Sequence, residues 1–264
     1  MKRIALGIEY DGSRWRGWQK QPDGHTVQNQ LEDALYRFTR TRISTACAGR
    51  TDAGVHALEQ VVHLDTEIDR DTFSWVRGVN SFLDDSIAVR WACEVPYGAD
   101  GFHARASAIA RRYRYVLYNN PIRSPLLRKR AGWIFRPLSL APMQEAASYL
   151  LGEHDFSAFR AAECQAPSPV KTMNHIGIEQ QGDLFVFTFE ASAFLHHMVR
   201  NIVGSLVYVG KGDYDPDWLN VLLLGRERKK AAPTFMPDGL YLAKVIYDKQ
   251  WNLPQAADAF IPIV

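Results

Sequence analysis

The sequence predicts an α+β fold built of two halves. In the first hundred residues, the patterns follow the order strand, helix, strand, strand, helix, strand, which is typical of helices packed on one face of an antiparallel sheet. The second half again shows strands together with two packed helices. The chain has 264 residues, 47% of them hydrophobic, so it is long enough for one large or two modest domains with real cores.

The N-terminal half, residues 1–104, has two helices whose apolar spacing is regular. Thr26 is a suitable N-cap for the first helix, and Asp71 or Thr72 begins the second. The residues expected on the packed faces are Val27, Leu31, Ala34, Leu35 and Phe38 in the first helix and Phe73, Val76, Val79 and Phe82 in the second. Strands are predicted over residues 4–10, 43–47, 59–65 and 87–92. This order resembles the split βαβ arrangement of RNA-recognition-motif-like folds.

The C-terminal half, residues 105–264, begins after a break marked by Pro96, Gly98 and Gly101. No internal repeat is visible between the halves. The elements expected here are strands over 108–118 and 184–189, a last strand that begins with residues 237–242, and helices over 142–151, 195–209 and 216–224. The apolar tail that starts at Trp251 is interpreted as a packing segment or a dimer contact.

The most informative stretch is a loop between two predicted strands, residues 47–56, where Gly49 and Gly54 bracket a cation and an acid. Arg50 and Asp52 are two residues apart, so both side chains point to the same side of an extended backbone. A neighbouring guanidinium favours the ionised carboxylate, which is a base or nucleophile at neutral pH. The spacing alone favours an ordinary ion pair in a turn.

The charge pattern leaves nucleic-acid binding open. The formal net charge is only +2, but arginines outnumber lysines about two to one and cluster at residues 111–114, 123–130 and 226–230. In residues 13–20, Trp15 and Trp18 alternate with cations, so they either stack on bases or pack beneath their own loop.

Several function classes are disfavoured by what the sequence lacks. The three cysteines are far apart and have no metal-ligand spacing, which predicts a reducing compartment and no zinc site. The adjacent His196 and His197 would diverge on a helix, so we predict no metal there. Neither a signal peptide nor a membrane-spanning run is recognisable, and we expect a soluble, cytoplasmic protein.

Five segments carry a family resemblance. Residues 49–56, GRTDAGVH, followed by a strand that ends at residues 63–65, HLD, resemble the active-site segment of the tRNA pseudouridine synthase A family. Other segments similar to that family are residues 10–19 (YDGSRWRGWQ), 111–115 (RRYRY), 194–201 (FLHHMVRN) and 239–242 (GLYL). The resemblance therefore extends over nearly the whole chain.

This resemblance implies a set of site residues. It makes Asp52 the catalytic nucleophile or base, and Arg50 the residue that pairs with Asp52 and helps to hold the target nucleotide out of its helix. Tyr113 would stack on the target base and Leu240 would pack against it. The remaining substrate-binding candidates are Arg112, Arg114, His197 and Arg200.

The resemblance also implies a specific reaction. The protein would isomerise uridine to pseudouridine at positions 38, 39 and 40 in the anticodon stem-loop of tRNA, without a metal or a nucleotide cofactor. It would be a homodimer that recognises tRNA by shape, with two RNA-recognition-motif-like halves forming a mixed, mainly antiparallel sheet and a central cleft.

Three alternatives stay open at this point. A relative that modifies other tRNA positions would have much the same residues. A noncatalytic RNA-binding protein would share every basic and aromatic feature. A metal-dependent hydrolase would have to use Asp52, His56 and Asp65, which do not form a complete ligand set by type and spacing.

Overall fold

A computed structural model of the chain describes residues 1–254. The strands are β1 (Lys2–Tyr10), β2 (Ala46–Cys47), β3 (His56–Thr66), β4 (Ile87–Val95), β5 (Ala108–Asn119), β6 (Gly132–Ile134), β7 (Gly152–Asp155), β8 (Val170–Gln181), β9 (Leu184–Ala191) and β10 (Leu240–Tyr247). The α-helices are α1 (Val27–Thr39), α2 (Thr72–Asn80), α3 (Leu140–Ser148), α4 (Met198–Gly210) and α5 (Trp218–Gly225).

The chain divides into two compact units. The first unit comprises Met1–Ile109 together with the described residues from Tyr241 onward, and the second comprises Ala110–Leu240. The expected halves, 1–104 and 105–264, separate at a similar point but leave β10 with the second half. The structure instead joins β10 to the first unit, because Tyr241 pairs in parallel with His56 on β3. Most of the predicted apolar tail, residues 255–264, lies outside the described residues.

In the first unit, β1 lies between two antiparallel neighbours. Leu6 is opposite Val62 of β3 on one side and Ala92 of β4 on the other. The short β2 pairs antiparallel with β3, where Cys47 is opposite Val62. Together with the parallel β3–β10 pair, these strands form a mixed and mostly antiparallel sheet.

The helices of the first unit begin where the caps predict. The side chain of Thr26 accepts a hydrogen bond from the Asn29 N–H at the start of α1, and Asp71 caps α2. Phe73 was expected on the packed face of α2, and that prediction is wrong because its side chain is 65% exposed. Trp75 and Val79 occupy the buried face instead, and the Trp75 ring contacts Phe38 of α1 edge-on.

The second unit is built on a row of aromatic strand residues. β5 runs antiparallel to β9, with Tyr113 opposite Phe189 and Tyr115 opposite Phe187, and β8 and β7 follow as antiparallel neighbours. Phe185, Phe187 and Phe189 are fully buried, as the alternation predicts. On the other side of β5 the short β6 pairs in parallel.

Helix α4 is buried along nearly its whole length and packs against α3 and α5. Its first residue is Met198, three positions later than expected, because His197 has a left-handed conformation with φ of 61°. The described residues thus form an α+β fold with mixed, mostly antiparallel pairing, as predicted. Within residues 1–254, no helix is both long and apolar enough to cross a membrane.

Candidate active site

The segment that joins β2 to β3, residues 48–55, is a tightly held loop that carries Arg50 and Asp52. The Ala48 N–H donates to the carbonyl oxygen of Val61 at 2.8 Å, and the Gln60 side-chain amide donates to the carbonyl oxygen of Gly49 at 2.6 Å. These bonds fasten the first part of the loop to β3. Arg50 is exposed and Asp52 is half-buried, so the loop presents both charged groups at a rigid surface.

A second loop, residues 11–18, supports the first. The Trp18 N–H donates to the carbonyl oxygen of Thr51 at 3.0 Å, and the Gly54 N–H donates to the carbonyl oxygen of Trp15 at 3.3 Å. The hydroxyls of Tyr10 and Thr51 are 2.7 Å apart in the interior. The backbone on both sides of Asp52 is therefore tied to the end of β1 and to the loop that follows it.

Two glycines of the supporting loop permit this close approach. A Cβ atom on Gly12 would overlap the carbonyl oxygen of Val55, and one on Gly17 would lie 2.7 Å from the carbonyl oxygen of Thr51. Gly17 also has φ of 87°, which other residues adopt only with strain. The close approach of the two loops thus explains the glycines in the YDGS and GWQ segments of residues 10–19.

The two tryptophans of this loop pack inside it. Trp15 is 7% exposed and Trp18 is fully buried, and the Trp15 ring N–H donates to the hydroxyl oxygen of Ser86. Of the two interpretations that the sequence left open, packing beneath the loop is the one the structure shows. Both rings therefore contribute to the packing beneath the loop that supports residues 48–55.

The half-buried Asp11 and the buried His56 form a pair at the end of the loop of residues 48–55, a contact that sequence reasoning missed. Their Oδ1 and Nδ1 atoms are 3.2 Å apart, and the His56 ring stacks on Tyr241 at 4.7 Å. The hydrogen bond to His56 holds the pKa of Asp11 well below its usual range, against the opposing effect of burial. The sequence signal that could have indicated this contact is the position of Asp11, between Tyr10 and Gly12, in a segment that resembles the family.

The hydrolase alternative fails on geometry. His56 and Asp65 lie nine residues apart on the extended strand β3, which corresponds to about 30 Å. The Asp65 carboxylate also receives two hydrogen bonds from Arg3, at 2.6 and 2.8 Å, and these hold its pKa below the usual value. One metal ion cannot bind both residues.

In the second unit, the predicted base-stacking residue lies in the middle of β5. Tyr113 is 9% exposed, and its ring meets Phe194 edge-on at 5.0 Å between centroids. Its neighbour Arg112 donates two hydrogen bonds to one carboxylate oxygen of Glu190 on β9, at 2.8 and 3.0 Å. Arg114 lies on the same strand and is half-buried.

Other predicted residues of the second unit lie at the start of α4 and at the first position of β10. The rings of His196 and His197 are 3.9 Å apart, and Arg200 donates through Nε to the carbonyl oxygen of Phe235 at 2.8 Å. Leu240 is buried and follows Gly239, whose carbonyl oxygen accepts the Val116 N–H of β5. Arg200 and Leu240 are thus held against the core of the second unit, whereas His197 contacts the exposed His196.

A buried polar cluster beneath α4 was also missed from the sequence. Asn201 is fully buried, and its side-chain amide donates to the carbonyl oxygen of Phe159. Its oxygen accepts hydrogen bonds from Arg228 at 2.9 Å and from Thr234 at 2.7 Å. Burial lowers the pKa of the Arg228 guanidinium. The cluster fastens residues 228–234 to the helix that follows His197.

Comparison with known proteins supports the family that the motifs resemble. A family model described as tRNA pseudouridine synthase matches residues 7–100 and 146–248. The tRNA pseudouridine synthase A of Herminiimonas arsenicoxydans is 67% identical over 255 residues, which cover 96% of this chain and 93% of the relative. The proteins of the same name from Janthinobacterium sp. (strain Marseille) and Paraburkholderia phymatum are 66% and 57% identical, with coverage of 96% and 99% of this chain and 95% and 97% of the relatives. The chain therefore belongs to the tRNA pseudouridine synthase family, and it is an isomerase that acts on tRNA.

Proposed function

We propose that this tRNA pseudouridine synthase modifies positions 38, 39 and 40 of the anticodon stem-loop and that Asp52 is its catalytic residue. The observation that carries the assignment of Asp52 is the way its loop is built. Hydrogen bonds from Trp18 and Gln60 hold the backbone at Thr51 and Gly49, on the N-terminal side of the carboxylate. A carboxylate that must act on one atom of a flipped nucleotide needs such a rigid support.

The chemistry requires little beyond a carboxylate and a shaped pocket. The bond between N1 of uracil and C1′ of the ribose breaks, the freed uracil rotates, and a new bond forms between C5 and C1′; C5 then loses its proton and N1 gains one, so that the product is an isomer of uridine. An ionised Asp52 acts on the sugar or the base, and exclusion of water protects the intermediate. Unstacking the target costs a few kcal/mol, which the exposed Arg50 guanidinium offsets by pairing with Asp52 and holding the nucleotide out of its helix.

The substrate-binding residues of this proposal are Tyr113, Leu240, Arg112, Arg114, His197 and Arg200. Support for Tyr113 comes from its edge-on contact with Phe194, which fixes the ring that would stack on the target base. Support for Arg200 comes from its bond to the carbonyl oxygen of Phe235, because a guanidinium held at one end is preorganised to meet a phosphate with the other.

The finer features of the architecture belong to the same proposal. The two halves are RNA-recognition-motif-like and border a central cleft that receives tRNA. In the first unit, this is supported by a central β1 with α1 and α2 inserted between the strands. The protein acts as a homodimer in the cytoplasm. Exposed apolar side chains, Ile122 and Leu126, support self-association, and the three free cysteines fit a reducing compartment.

The test is the yield and position of pseudouridine in an unmodified tRNA transcript, with EDTA present. We expect the wild type and the control variant Asp33→Asn, which changes an exposed acid on α1, to form product at positions 38, 39 and 40. Asp52→Asn should bind the transcript and form none. Product from Asp52→Asn would contradict the catalytic assignment, and product mapped only to other positions would contradict the proposed target.

A further inference from the structure

Arg105 lies at the tip of a surface turn that is closed by several hydrogen bonds. The turn is closed by reciprocal hydrogen bonds between His103 and Ser107, and the His103 Nδ1 atom accepts the N–H groups of Arg105 and Ala106 at 3.1 and 3.2 Å. A single imidazole nitrogen therefore holds two successive peptide groups. The side chain of Arg105 is exposed above this base.

The base of the turn is anchored to the core of the first unit. Phe102 and Ala104 are fully buried. The Ala104 N–H donates to His63 Nδ1 at 3.1 Å, and its carbonyl oxygen accepts the Tyr247 hydroxyl at 2.6 Å. Arg3 donates to the carbonyl oxygen of Phe102 at 2.8 Å. Arg105 is thus carried by a rigid element, which is what a positioned ligand-binding side chain requires.

The anchor places this turn beside the catalytic loop. His63, which accepts the Ala104 N–H, is the residue of β3 that pairs with Ala46 of β2. Cys47 follows Ala46 directly, and the loop with Arg50 and Asp52 begins immediately after it. The turn that carries Arg105 is therefore connected to the start of the loop through the Ala104–His63 hydrogen bond and the pairing of β3 with β2.

The electrostatics of Cys47 agree with this location. Burial raises the pKa of the Cys47 thiol to about 11, and the positive charges of Arg50 and Arg105 oppose that rise. Two guanidinium groups from separate segments therefore act on the same sulfur atom. Their combined positive charge lies next to the carboxylate-bearing loop, where the tRNA backbone must approach.

We propose that Arg105 is a phosphate-binding residue that acts with Arg50 to hold the tRNA backbone beside the target nucleotide. The proposal rests on the assignment of the Asp52 loop as the catalytic site. An exposed guanidinium on a rigid turn offers a fork of donors that suits a phosphate, and a phosphate contact positions the substrate without reading its sequence. Arg105 is accordingly a positioning residue and takes no part in the bond changes.

The test measures the salt dependence of tRNA binding and whether the kinetic effect of the substitution appears in KM or in kcat. The variants are Arg105→Gln, Arg105→Lys and the matched control Arg70→Gln, which removes an exposed arginine that lies over the Phe38 ring in the same unit. For Arg105→Gln we expect the plot of the logarithm of the tRNA association constant against the logarithm of the salt concentration to become less steep. The magnitude of its slope should decrease by about 0.7 to 0.9, the value of one phosphate contact. KM for tRNA should rise about tenfold, with a smaller change in kcat. Arg105→Lys, which keeps the positive charge, and Arg70→Gln should both keep the wild-type slope.

Two results would overturn the proposal. One is an unchanged salt slope for Arg105→Gln with an unchanged circular dichroism melting curve. The other is a loss confined to kcat, since that would mean that Arg105 acts on Asp52 rather than on the substrate backbone. Failure of the underlying site assignment is a separate result, because it shows as product from Asp52→Asn whatever Arg105 does.

Discussion

The hydroxyl groups of Tyr10 and Thr51 are 2.7 Å apart in the buried interior of the first unit. Thr51 directly precedes Asp52, and Tyr10 is the last residue of β1. This contact joins a central strand of the sheet to the residue that sets the backbone position of the proposed catalytic carboxylate. Placement of Asp52 should therefore depend on groups that never touch the substrate.

Thr51→Val should reduce both stability and activity. Valine has nearly the shape of threonine but removes the hydroxyl that partners Tyr10, which costs about 1–3 kcal/mol of unfolding free energy. A displaced Asp52 should also lower kcat by about tenfold or more. Urea unfolding and single-turnover assays measure the two effects, with Thr41→Val, an exposed threonine, as the control. Wild-type kcat in Thr51→Val would show that the loop holds Asp52 without this bond.

Gly17→Ala should be far more damaging than Gly24→Ala. Both glycines have positive φ, 87° and 73°, so both substitutions carry a similar backbone penalty of about 1 kcal/mol. Only the new methyl group at position 17 meets an obstacle, the carbonyl oxygen of Thr51 at 2.7 Å, whereas Gly24 has no heavy atom within 4 Å. We expect an additional loss of about 1–3 kcal/mol and reduced activity for Gly17→Ala alone. Equal melting temperatures for the two variants would contradict this reading of the contact.

Elements with a strong local signal were predictable from the sequence. The cap at Thr26 and the spacing that follows it define α1, because both signals act within a few residues. The alternating phenylalanines of β9 are fully buried for the same reason. The resemblance also assigned the proposed catalytic role to residues 49–56, since an eight-residue run leaves little freedom of alignment.

Features decided by distant contacts were not predictable. The membership of β10 in the first unit depends on its pairing with β3, about 180 residues earlier in the chain. The late start of α4 depends on a left-handed His197, and although histidine is enriched in that conformation, only a few per cent of non-glycine residues adopt it. In α2, the apolar residues are compatible with two overlapping buried faces of the helix. Tertiary packing buries the face with Trp75 and leaves Phe73 exposed.

Arg112 and Glu190 should be energetically coupled in the folded protein. Their side chains are 27% and 19% exposed and share two hydrogen bonds to one carboxylate oxygen. A double-mutant cycle with Arg112→Ala and Glu190→Ala should give a coupling free energy of about 1 kcal/mol, above that of a typical surface pair. The exposed pair of Arg90 with Glu9 provides the control cycle, which should give less. Coupling that is no larger than the control would show that the pair stabilises the protein no more than an exposed pair does.

Glu59 makes the stability of the first unit dependent on pH. It is 8% exposed on β3, and burial raises its pKa to about 7, although the nearby Lys244 ammonium opposes the rise. An unfolded glutamate has a pKa of about 4.3, so the native state binds more protons than the unfolded state between about pH 4.3 and pH 7. Stability contributed by the neutral carboxyl is therefore present at low pH and is lost as the pH rises through this window.

Glu59→Gln should remove this dependence, because the amide stays neutral at every pH. Relative to wild type, we expect the variant to gain about 1–3 kcal/mol of unfolding free energy at pH 8 and nothing at pH 4. Urea unfolding at intervals of pH measures the difference, and Glu67→Gln, an exposed acid just beyond β3, serves as the control with a flat difference. A constant difference for Glu59→Gln across the window would mean that Glu59 is ionised in the native state throughout, with Lys244 outweighing the burial of the carboxylate.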